Sequence, residues 1–147
     1  MSTSPQSGTD GSITLNLPGR YACLGAIRQA VLHISARAGL SEIKSAQLEM
    51  AVDEACSNVI EHSYGGESDS SELRVRLIRE PGGITVEICD RGAGFDFDTQ
   101  PARAPSDYLD ERRQRGLGMF IIRCFVDSAS YQRATPDGNC LRLTKHA

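Results

Sequence analysis

Three polar residues, Glu54, Asn58 and His62, recur at every fourth position in a segment with helical periodicity. Side chains four residues apart share one face of a helix, so these residues form one polar line beside an apolar stripe. The oxygen of Asn58 could bind a hard cation such as Mg²⁺, which takes few protein ligands and keeps waters and phosphates. Glu54, one turn earlier, would then stand where a general base faces an approaching hydroxyl. The spacing also fits a solvated helix face, and for His62 we favour a structural role.

A second group is the run D-R-G-A-G of Asp90–Gly94, which directly follows a strand pattern. Glycines at the end of a strand let the backbone turn tightly and approach a ligand. The carboxylate of Asp90 could accept a hydrogen bond from an exocyclic amine such as that of adenine. D-x-G-x-G is also a common turn sequence, so a plain turn is the alternative.

A third group is the run R-G-L-G-M of Arg115–Met119, which opens a predicted helix. Glycines at a helix N-terminus leave N–H groups and the positive end of the helix dipole available to phosphates. Arg112, Arg113 and Arg115 add positive charge there. The run lacks the G-K-[ST] of a P-loop, and an ordinary loop-to-helix junction is the alternative.

The order of the three groups is more specific than any one of them. A helix with E-x-x-x-N, a strand ending in D-x-G-x-G and a helix beginning G-x-G fall between residues 54 and 118. Residues 91–117 show no periodicity, and a loop of that length is typical of a lid over a nucleotide.

The elements that must position these groups follow from the spacing of apolar residues. Helical spacing predicts three helices, at about residues 24–38, 41–59 and 118–126. Alternation predicts five strands, at about residues 13–17, 73–77, 84–88, 128–133 and 140–145. A polar loop is expected at 64–71. The clustering of strands predicts an α+β two-layer sandwich, with a mixed, mostly antiparallel sheet and helices on one face. Residues 1–11 are expected to be a flexible tail, and 12–147 one domain.

Net charge, the length of apolar runs and the spacing of cysteines argue against several classes of protein. The chain has 147 residues and a formal net charge of −3, which gives no support for nucleic-acid binding. It contains neither an apolar run of membrane-spanning length nor a signal-peptide core, so we expect a cytoplasmic protein without a membrane partner. Its five cysteines are far apart and form no C-x-x-C pair. That pattern argues against a disulfide framework and a zinc site, and predicts buried, reduced thiols.

The three groups resemble the motifs of a known superfamily. The segment 51–62 (AVDEACSNVIEH) looks like the N-box of the GHKL ATPases, which include gyrase, Hsp90, histidine kinases and MutL. Asp90–Gly94 resembles their G1 box, and Arg115–Met119 resembles their G2 box.

These motifs are most similar in sequence to those of the anti-sigma-factor serine/threonine kinases. The E-A-x-x-N-x-x-x-H-x-Y run of 54–64 is characteristic of them, as are R-A-G-L at 37–40 and G-F-D-F at 94–97. The resemblance covers about residues 12–146 and implies the Bergerat, or histidine kinase-like ATPase, fold.

This resemblance implies a role for each matching polar residue. Glu54 would be the general base that activates a serine or threonine hydroxyl of a protein substrate. Asn58 would hold Mg²⁺ bridging the phosphates of ATP, and Asp90 would recognise the adenine amino group. A site of this kind works by positioning and charge neutralisation, as phosphoryl transfer requires.

The resemblance also implies roles for the glycines and one arginine. Gly92 and Gly94 would shape the pocket for the base. Gly116 and Gly118 would let backbone amides meet the phosphates, with Arg115 as a cation of the lid.

One departure from the family pattern lies in the last predicted hairpin. The family usually has Gly-x-Thr there, with a threonine that helps to hold the adenine pocket, whereas this chain has Gly138, Asn139 and Cys140. A thiol is a weak hydrogen-bonding partner, so that one contact is in question.

The resemblance further implies protein partners. They are a STAS-domain anti-sigma factor antagonist as the substrate, a sigma factor as a sequestered partner, and a second copy of the chain in a homodimer. Arg28 matches in approximate position an arginine that contacts partners, and a solvated side chain is its alternative.

Two other functions fit the sequence. One is a non-catalytic module that keeps ATP as a structural ligand and sequesters a partner. The other is a detached catalytic domain of a histidine kinase, against which we note the lack of a phospho-accepting histidine domain and the short lid. Glu54 favours the kinase, because a pure binding module has no need of a base.

Overall fold

The computed structural model of the protein describes residues 6–7, 11–97 and 114–147, with side chains from 11–97 and 119–147. The helices are α1 (Leu24–Arg37), α2 (Glu42–Asn58) and α3 (Gln114–Phe125). A 3₁₀ turn at Tyr21–Cys23 leads into α1, and a π turn at Val59–Ser63 continues α2. The strands are β1 (Gln6–Ser7), β2 (Ser12–Gly19), β3 (Ser68–Glu80), β4 (Gly83–Asp90), β5 (Ser128–Thr135) and β6 (Gly138–His146).

Within the described residues, the strands form one sheet in the order β1–β2–β3–β4–β6–β5, and each pairing is antiparallel. All three helices contact this sheet: α1 meets β3 and β4, α2 meets β4 and β6, and α3 meets β5. The α+β sandwich with a mostly antiparallel sheet is therefore confirmed.

The core lies between the helices and one face of the sheet. Val75, Ile88 and Leu141 lie side by side on β3, β4 and β6 and are almost fully buried. Residues of opposite parity on these strands, such as Arg74 and Arg142, point to the other face. Each residue position on a strand therefore determines whether its side chain reaches the core or the open face.

Local signals in the sequence explain where α1 and α2 meet. Gly39 has φ of +87°, a conformation that a glycine adopts readily, and it follows the last turn of α1. The hydroxyl of Ser41 then accepts a hydrogen bond from the backbone N–H of Lys44 over 3.2 Å, which caps α2. These boundaries agree with the helices expected at about residues 24–38 and 41–59.

Several boundaries differ from the expectations. β3 begins at Ser68, so the polar loop expected at 64–71 is shorter, and α3 begins at Gln114 rather than near Gly118. Gln6–Ser7, within the expected tail, pair with β2. Residues 98–113, the larger part of the expected lid, lie outside the described residues. In the described part of the chain, no helix combines the length and apolarity needed to cross a membrane.

The prediction of reduced cysteines is wrong for two of the five, and the prediction that they are buried is wrong for Cys124. Cys89 and Cys140 form a disulfide, with their Cα atoms 4.2 Å apart. They are directly opposite each other on β4 and β6, a proximity that a separation of 51 residues conceals in the sequence. Cys23, Cys56 and Cys124 are free, and Cys124 is exposed rather than buried.

Candidate functional site

The carboxylate of Asp90 is the centre of a buried hydrogen-bond cluster at the end of β4. Asp90 is 2% exposed. Its Oδ1 accepts hydrogen bonds from the N–H of Gly92 over 2.9 Å, from Nδ2 of Asn139 over 3.1 Å, and from the hydroxyl of Ser63. Among the described residues these donors all reach Oδ1, so Oδ2 is available to a hydrogen-bond donor of a ligand.

Ser63 anchors the loop that follows β4. Its carbonyl oxygen accepts from the N–H of Ala93, and its Oγ accepts from the N–H of Gly94, each over 2.8 Å. One serine therefore joins the carboxylate of Asp90 to the backbone of the glycine loop. Ser63 is not among the predicted site residues, although it lies within the run 54–64 that carries the family resemblance.

The two glycines of the D-x-G-x-G motif have a packing role. A Cβ on Gly92 would lie 2.5 Å from Oγ of Ser63, too close for any side chain. Gly94 has φ of +78°, and a Cβ there would lie 2.8 Å from Nε of Arg133 and 3.0 Å from the hydroxyl of Tyr131. Glycine at both positions lets the loop lie against the π turn and β5, consistent with the predicted shaping of a pocket.

Side chains from β5 and α3 hold the rest of this loop. The hydroxyl of Tyr131 accepts from the N–H of Phe95 over 3.2 Å, and the two rings stack with centroids 4.8 Å apart. Arg123 of α3 donates to the carbonyl of Phe97 over 2.7 Å and lies over its ring. The segment up to Phe97 is therefore fixed to α3, the helix that carries the third motif.

Glu54 and Asn58 lie one turn apart at the C-terminal end of α2. Asn58 is 6% exposed, and its Nδ2 has no hydrogen-bond partner among the described residues. Burial raises the pKa of the Glu54 carboxyl, and the negative charges of Asp53 and Glu61 raise that pKa further. α2 therefore carries a carboxylate with increased affinity for a proton beside an unsatisfied buried amide, and unsatisfied groups of this kind are rare.

The predicted polar line does not continue regularly to His62. The α-helix ends at Asn58, and the π turn begins there, with the N–H of Tyr64 bonded to the carbonyl of Val59, five residues earlier. A π turn adds a residue to the helical repeat, so His62 is not one regular turn beyond Asn58. The same change of phase places Ser63 against Asp90. Nε2 of His62 lies 3.9 Å from the carboxylate of Glu61, and the structural role favoured for His62 stays a prediction.

Asn139, rather than Cys140, is the β6 residue that contacts Asp90. The register pairs Asp90 with Asn139 and Cys89 with Cys140, and alternate residues face opposite sides of the sheet. Nδ2 of Asn139 also donates to the carbonyl of Gly92 over 2.9 Å. The amide thus supplies a strong polar contact beside Asp90, and Cys140 is turned away from it.

The residues of the third motif lie in α3. Arg115, Gly116 and Gly118 follow its first residue, Gln114, and their side chains are outside the described ones. Arg112 and Arg113 are outside the described residues altogether. The expected contact of these groups with phosphates stays a prediction.

Arg28 lies near the catalytic candidates. Its guanidinium is paired with the carboxylate of Asp53 over 2.8 Å, while its side chain remains 44% exposed. Arg28 is thus neither a free solvated side chain nor a buried one. It connects the surface of α1 to the residue before Glu54.

Comparisons with known proteins agree with this arrangement. Residues 17–145 match the histidine kinase-like ATPase domain family. The chain is 34% identical over 121 residues to serine-protein kinase RsbW of Listeria monocytogenes serovar 1/2a, covering 78% of this chain and 75% of that protein. It is 27% identical over 138 residues to serine-protein kinase RsbW of Bacillus subtilis, covering 91% and 84%.

A solved structure shares the fold. The crystal structure of the RsbU and RsbW domains of Rv1364c from Mycobacterium tuberculosis superposes with a TM-score of 0.63 at 15% identity. The match covers 92% of this chain but spans only 31% of that longer chain, and at this identity it shows the fold alone. On the family match and the Listeria relative together, the chain belongs to the histidine kinase-like ATPase family and, within it, to the RsbW group of serine-protein kinases.

Proposed function

We propose that this protein transfers the γ-phosphoryl group of ATP to a serine or threonine hydroxyl of a partner protein, with Glu54 as the general base. The observation that carries the proposal is the pair on α2. There a half-buried carboxyl with a raised pKa lies one turn before the buried amide of Asn58, whose Nδ2 has no partner in the described part of the chain. A purely structural helix end would be expected to satisfy that amide.

The residues fit an adenine nucleotide with a divalent cation. Oδ2 of Asp90 is open to an amine donor, and the loop beside it is pre-formed by Ser63, Gly92 and Gly94. The amide of Asn58 can offer either its oxygen to a cation or its N–H to a phosphate, because the two ends of an amide exchange by a flip. In the described part of the chain no three His, Cys, Asp or Glu side chains cluster as a metal site. We therefore propose that Asn58 would bind Mg²⁺ jointly with phosphates and water.

The chemistry assigned to this chain is proton transfer and positioning. A carboxylate oxygen of Glu54 would accept the proton of the attacking hydroxyl, and a raised pKa makes that carboxylate a stronger base. When bound, Mg²⁺ would neutralise charge on the phosphates. Asp90 would orient the base, and the backbone of Gly116 and Gly118, with Arg115, would contact the phosphates.

For the partner we propose a STAS-domain anti-sigma factor antagonist as the phosphorylated protein, and a sigma factor as the protein held when the antagonist is absent. The two curated relatives above carry the name serine-protein kinase, which supports the first step. Arg28, exposed on α1 and bonded to the neighbour of Glu54, is where we place partner contact. We also propose a homodimer through the edge of the sheet.

The test is transfer of label from γ-labelled ATP to a STAS-domain protein encoded beside this gene. Wild type should label the STAS protein on serine or threonine. Glu54→Gln should reduce labelling by about 100-fold or more while ATP still binds. Asn58→Ala should lose Mg²⁺-dependent binding. Glu49→Gln, on the same helix, is the matched control and should label normally. Nucleotide binding with no transfer by wild type would reject the kinase and favour a module that only holds its partner.

A further inference from the structure

The disulfide between Cys89 and Cys140 lies one residue from the polar cluster of the site. We propose that these cysteines are a reversible thiol–disulfide pair whose oxidation state sets the nucleotide affinity of the site formed by Asp90 and Asn139. This inference rests on the nucleotide binding in the proposed function, and does not require phosphoryl transfer.

The two residue pairs are consecutive rungs at the end of one ladder. β4 ends at Asp90 and β6 begins at Gly138, so the pair Asp90 and Asn139 is the last side-chain rung between these strands. Cys89 and Cys140 form the rung before it. Terminal rungs open most easily, and a covalent bond at the preceding rung limits that opening.

The geometry around Asp90 needs this end of the ladder closed. The amide of Asn139 reaches both Asp90 and the carbonyl of Gly92 only while β6 stays against β4. Gly138 packs so tightly that an added Cβ would lie 3.1 Å from the carbonyl carbon of Asp90. Arg91 donates to the carbonyl of Pro136 over 3.3 Å. Loss of the rung at Cys89 would therefore act directly on the donors of the Asp90 carboxylate.

The disulfide faces the open side of the sheet, away from the helices. A shallow cavity there is lined by Arg74, Arg76, Glu87, Cys89 and Asp137. Arg74 lies directly opposite Cys89 on β3, and its guanidinium is 3.7 Å from the carboxylate of Asp137. The cavity offers a small thiol a route to Cys89, and Arg74 places positive charge beside a developing thiolate.

Cys56 provides a contrast within the same chain. It is fully buried in α2, and burial raises its thiol pKa, so it is shielded from redox reagents. Cys89 and Cys140 differ from it in having a partner within bonding distance and a cavity that reaches Cys89.

Reduction by a dithiol is balanced as a two-step exchange. A thiolate of the dithiol attacks one sulfur, the Cys89–Cys140 bond breaks, and a mixed disulfide forms with one protein cysteine. The second thiol of the reagent then displaces that cysteine, so two electrons and two protons pass to Cys89 and Cys140 and the reagent leaves as a cyclic disulfide. Hydrogen peroxide reverses the change, taking two electrons and two protons from the thiols and forming two waters.

After reduction, the two sulfurs need separate van der Waals space and no covalent bond restrains the last rung. We expect the pair Asp90 and Asn139 to open more often, so the nucleotide dissociation constant rises about fivefold or more, the lower range of coupling between linked sites.

The experiment compares wild-type protein oxidised with hydrogen peroxide and reduced with dithiothreitol. A fluorescent ATP analogue is titrated into each form, and alkylation followed by peptide mass analysis reports the state of Cys89 and Cys140. The expected result is protection of both cysteines and tighter binding in the oxidised form, reversed by dithiothreitol. Cys124→Ser, which removes an exposed free thiol, should keep the full response.

The double variant Cys89→Ser with Cys140→Ser should bind like reduced wild type and ignore both reagents. Equal affinities of oxidised and reduced wild type would overturn the inference and leave the proposed function standing. Alkylation of both cysteines before any reductant is added would overturn it as well. Failure of both the oxidised and the reduced form to bind the analogue would reject the nucleotide site itself, and this inference with it.

Discussion

Asn139 lies opposite Asp90 on the neighbouring strand, and its Nδ2 donates to Oδ1 of Asp90 over 3.1 Å. Ser63, from the π turn after α2, donates to the same oxygen. The carboxylate is thus oriented from two directions by parts of the chain that are far apart in sequence. One of its oxygens is fully used within the protein, which orients the other for a ligand.

The amide of Asn139 should be needed for this orientation. Asn139→Ala removes the hydrogen bonds to Asp90 and Gly92, and also the acceptor of the Ala134 N–H. Since buried polar groups would lose partners, we expect a loss of about 1–3 kcal/mol in unfolding free energy. ATP affinity should fall about tenfold, equivalent to about 1.4 kcal/mol. Chemical denaturation and nucleotide titration measure the two effects.

The matched control is Asn16→Ala, a half-exposed asparagine on β2 whose side chain faces the open side of the sheet. It should leave nucleotide affinity unchanged. An Asn139→Ala protein that binds ATP as wild type does would show that Asp90 keeps its orientation without the amide.

The parts of the site that sequence reasoning predicted are those whose chemistry is local. Asp90 follows a strand and precedes two glycines, so one short run carries both its type and its place. Glu54 and Asn58 are four residues apart, and this spacing by itself predicts that they lie on one face of a helix. The fold class followed similarly from alternation and helical periodicity.

The parts that were missed depend on register and helical phase. Asn139 contacts Asp90 because β4 and β6 pair in one register, and a slip of one residue would have put Cys140 there instead. The disulfide of Cys89 follows from that same register. Ser63 reaches Asp90 only because of the π turn, and the pattern of apolar residues does not predict a π turn.

The hydroxyl of Ser63 should also be needed to orient Asp90 for ATP binding. Ser63→Ala removes a donor to Asp90 and the acceptor for the N–H of Gly94, which leaves that buried amide without this partner. We expect a loss of about 1–3 kcal/mol in stability and weaker ATP binding. Thermal unfolding without ATP measures the loss of stability. The increase in unfolding temperature on adding ATP measures binding, and this increase should be smaller in Ser63→Ala than in wild type. Ser45→Ala changes a buried serine on α2, outside the π turn, and should keep the full stabilisation by ATP. An unchanged thermal shift in Ser63→Ala would count against its role.

The disulfide should contribute strongly to stability in its oxidised form. Cys89 and Cys140 are 51 residues apart, and the chain-entropy estimate for closing such a loop is about 4 kcal/mol. Cys140→Ser should therefore lower the denaturation midpoint under oxidising conditions and have little effect in dithiothreitol. Cys124→Ser should match wild type in both. Equal midpoints for wild type with and without dithiothreitol would contradict the estimate.

Glu54 should lower the stability of the fold at neutral pH while it supports catalysis. Its pKa is raised, chiefly by burial and then by Asp53 and Glu61, so the charged form is less favourable in the folded chain than in the unfolded one. The resulting loss of stability is present above the folded pKa and disappears below the unfolded value of about 4.3, where the carboxyl is protonated in both states. Glu54→Gln should therefore unfold at a higher temperature than wild type at neutral pH, and the difference should vanish as the pH falls to about 4. Transfer by wild type should decline as the pH falls through the raised pKa, because the base must be deprotonated. Glu49→Gln should show no such pH-dependent gain in stability. A Glu54→Gln protein less stable than wild type at neutral pH would show that the carboxylate is held by favourable contacts instead of being disfavoured by burial.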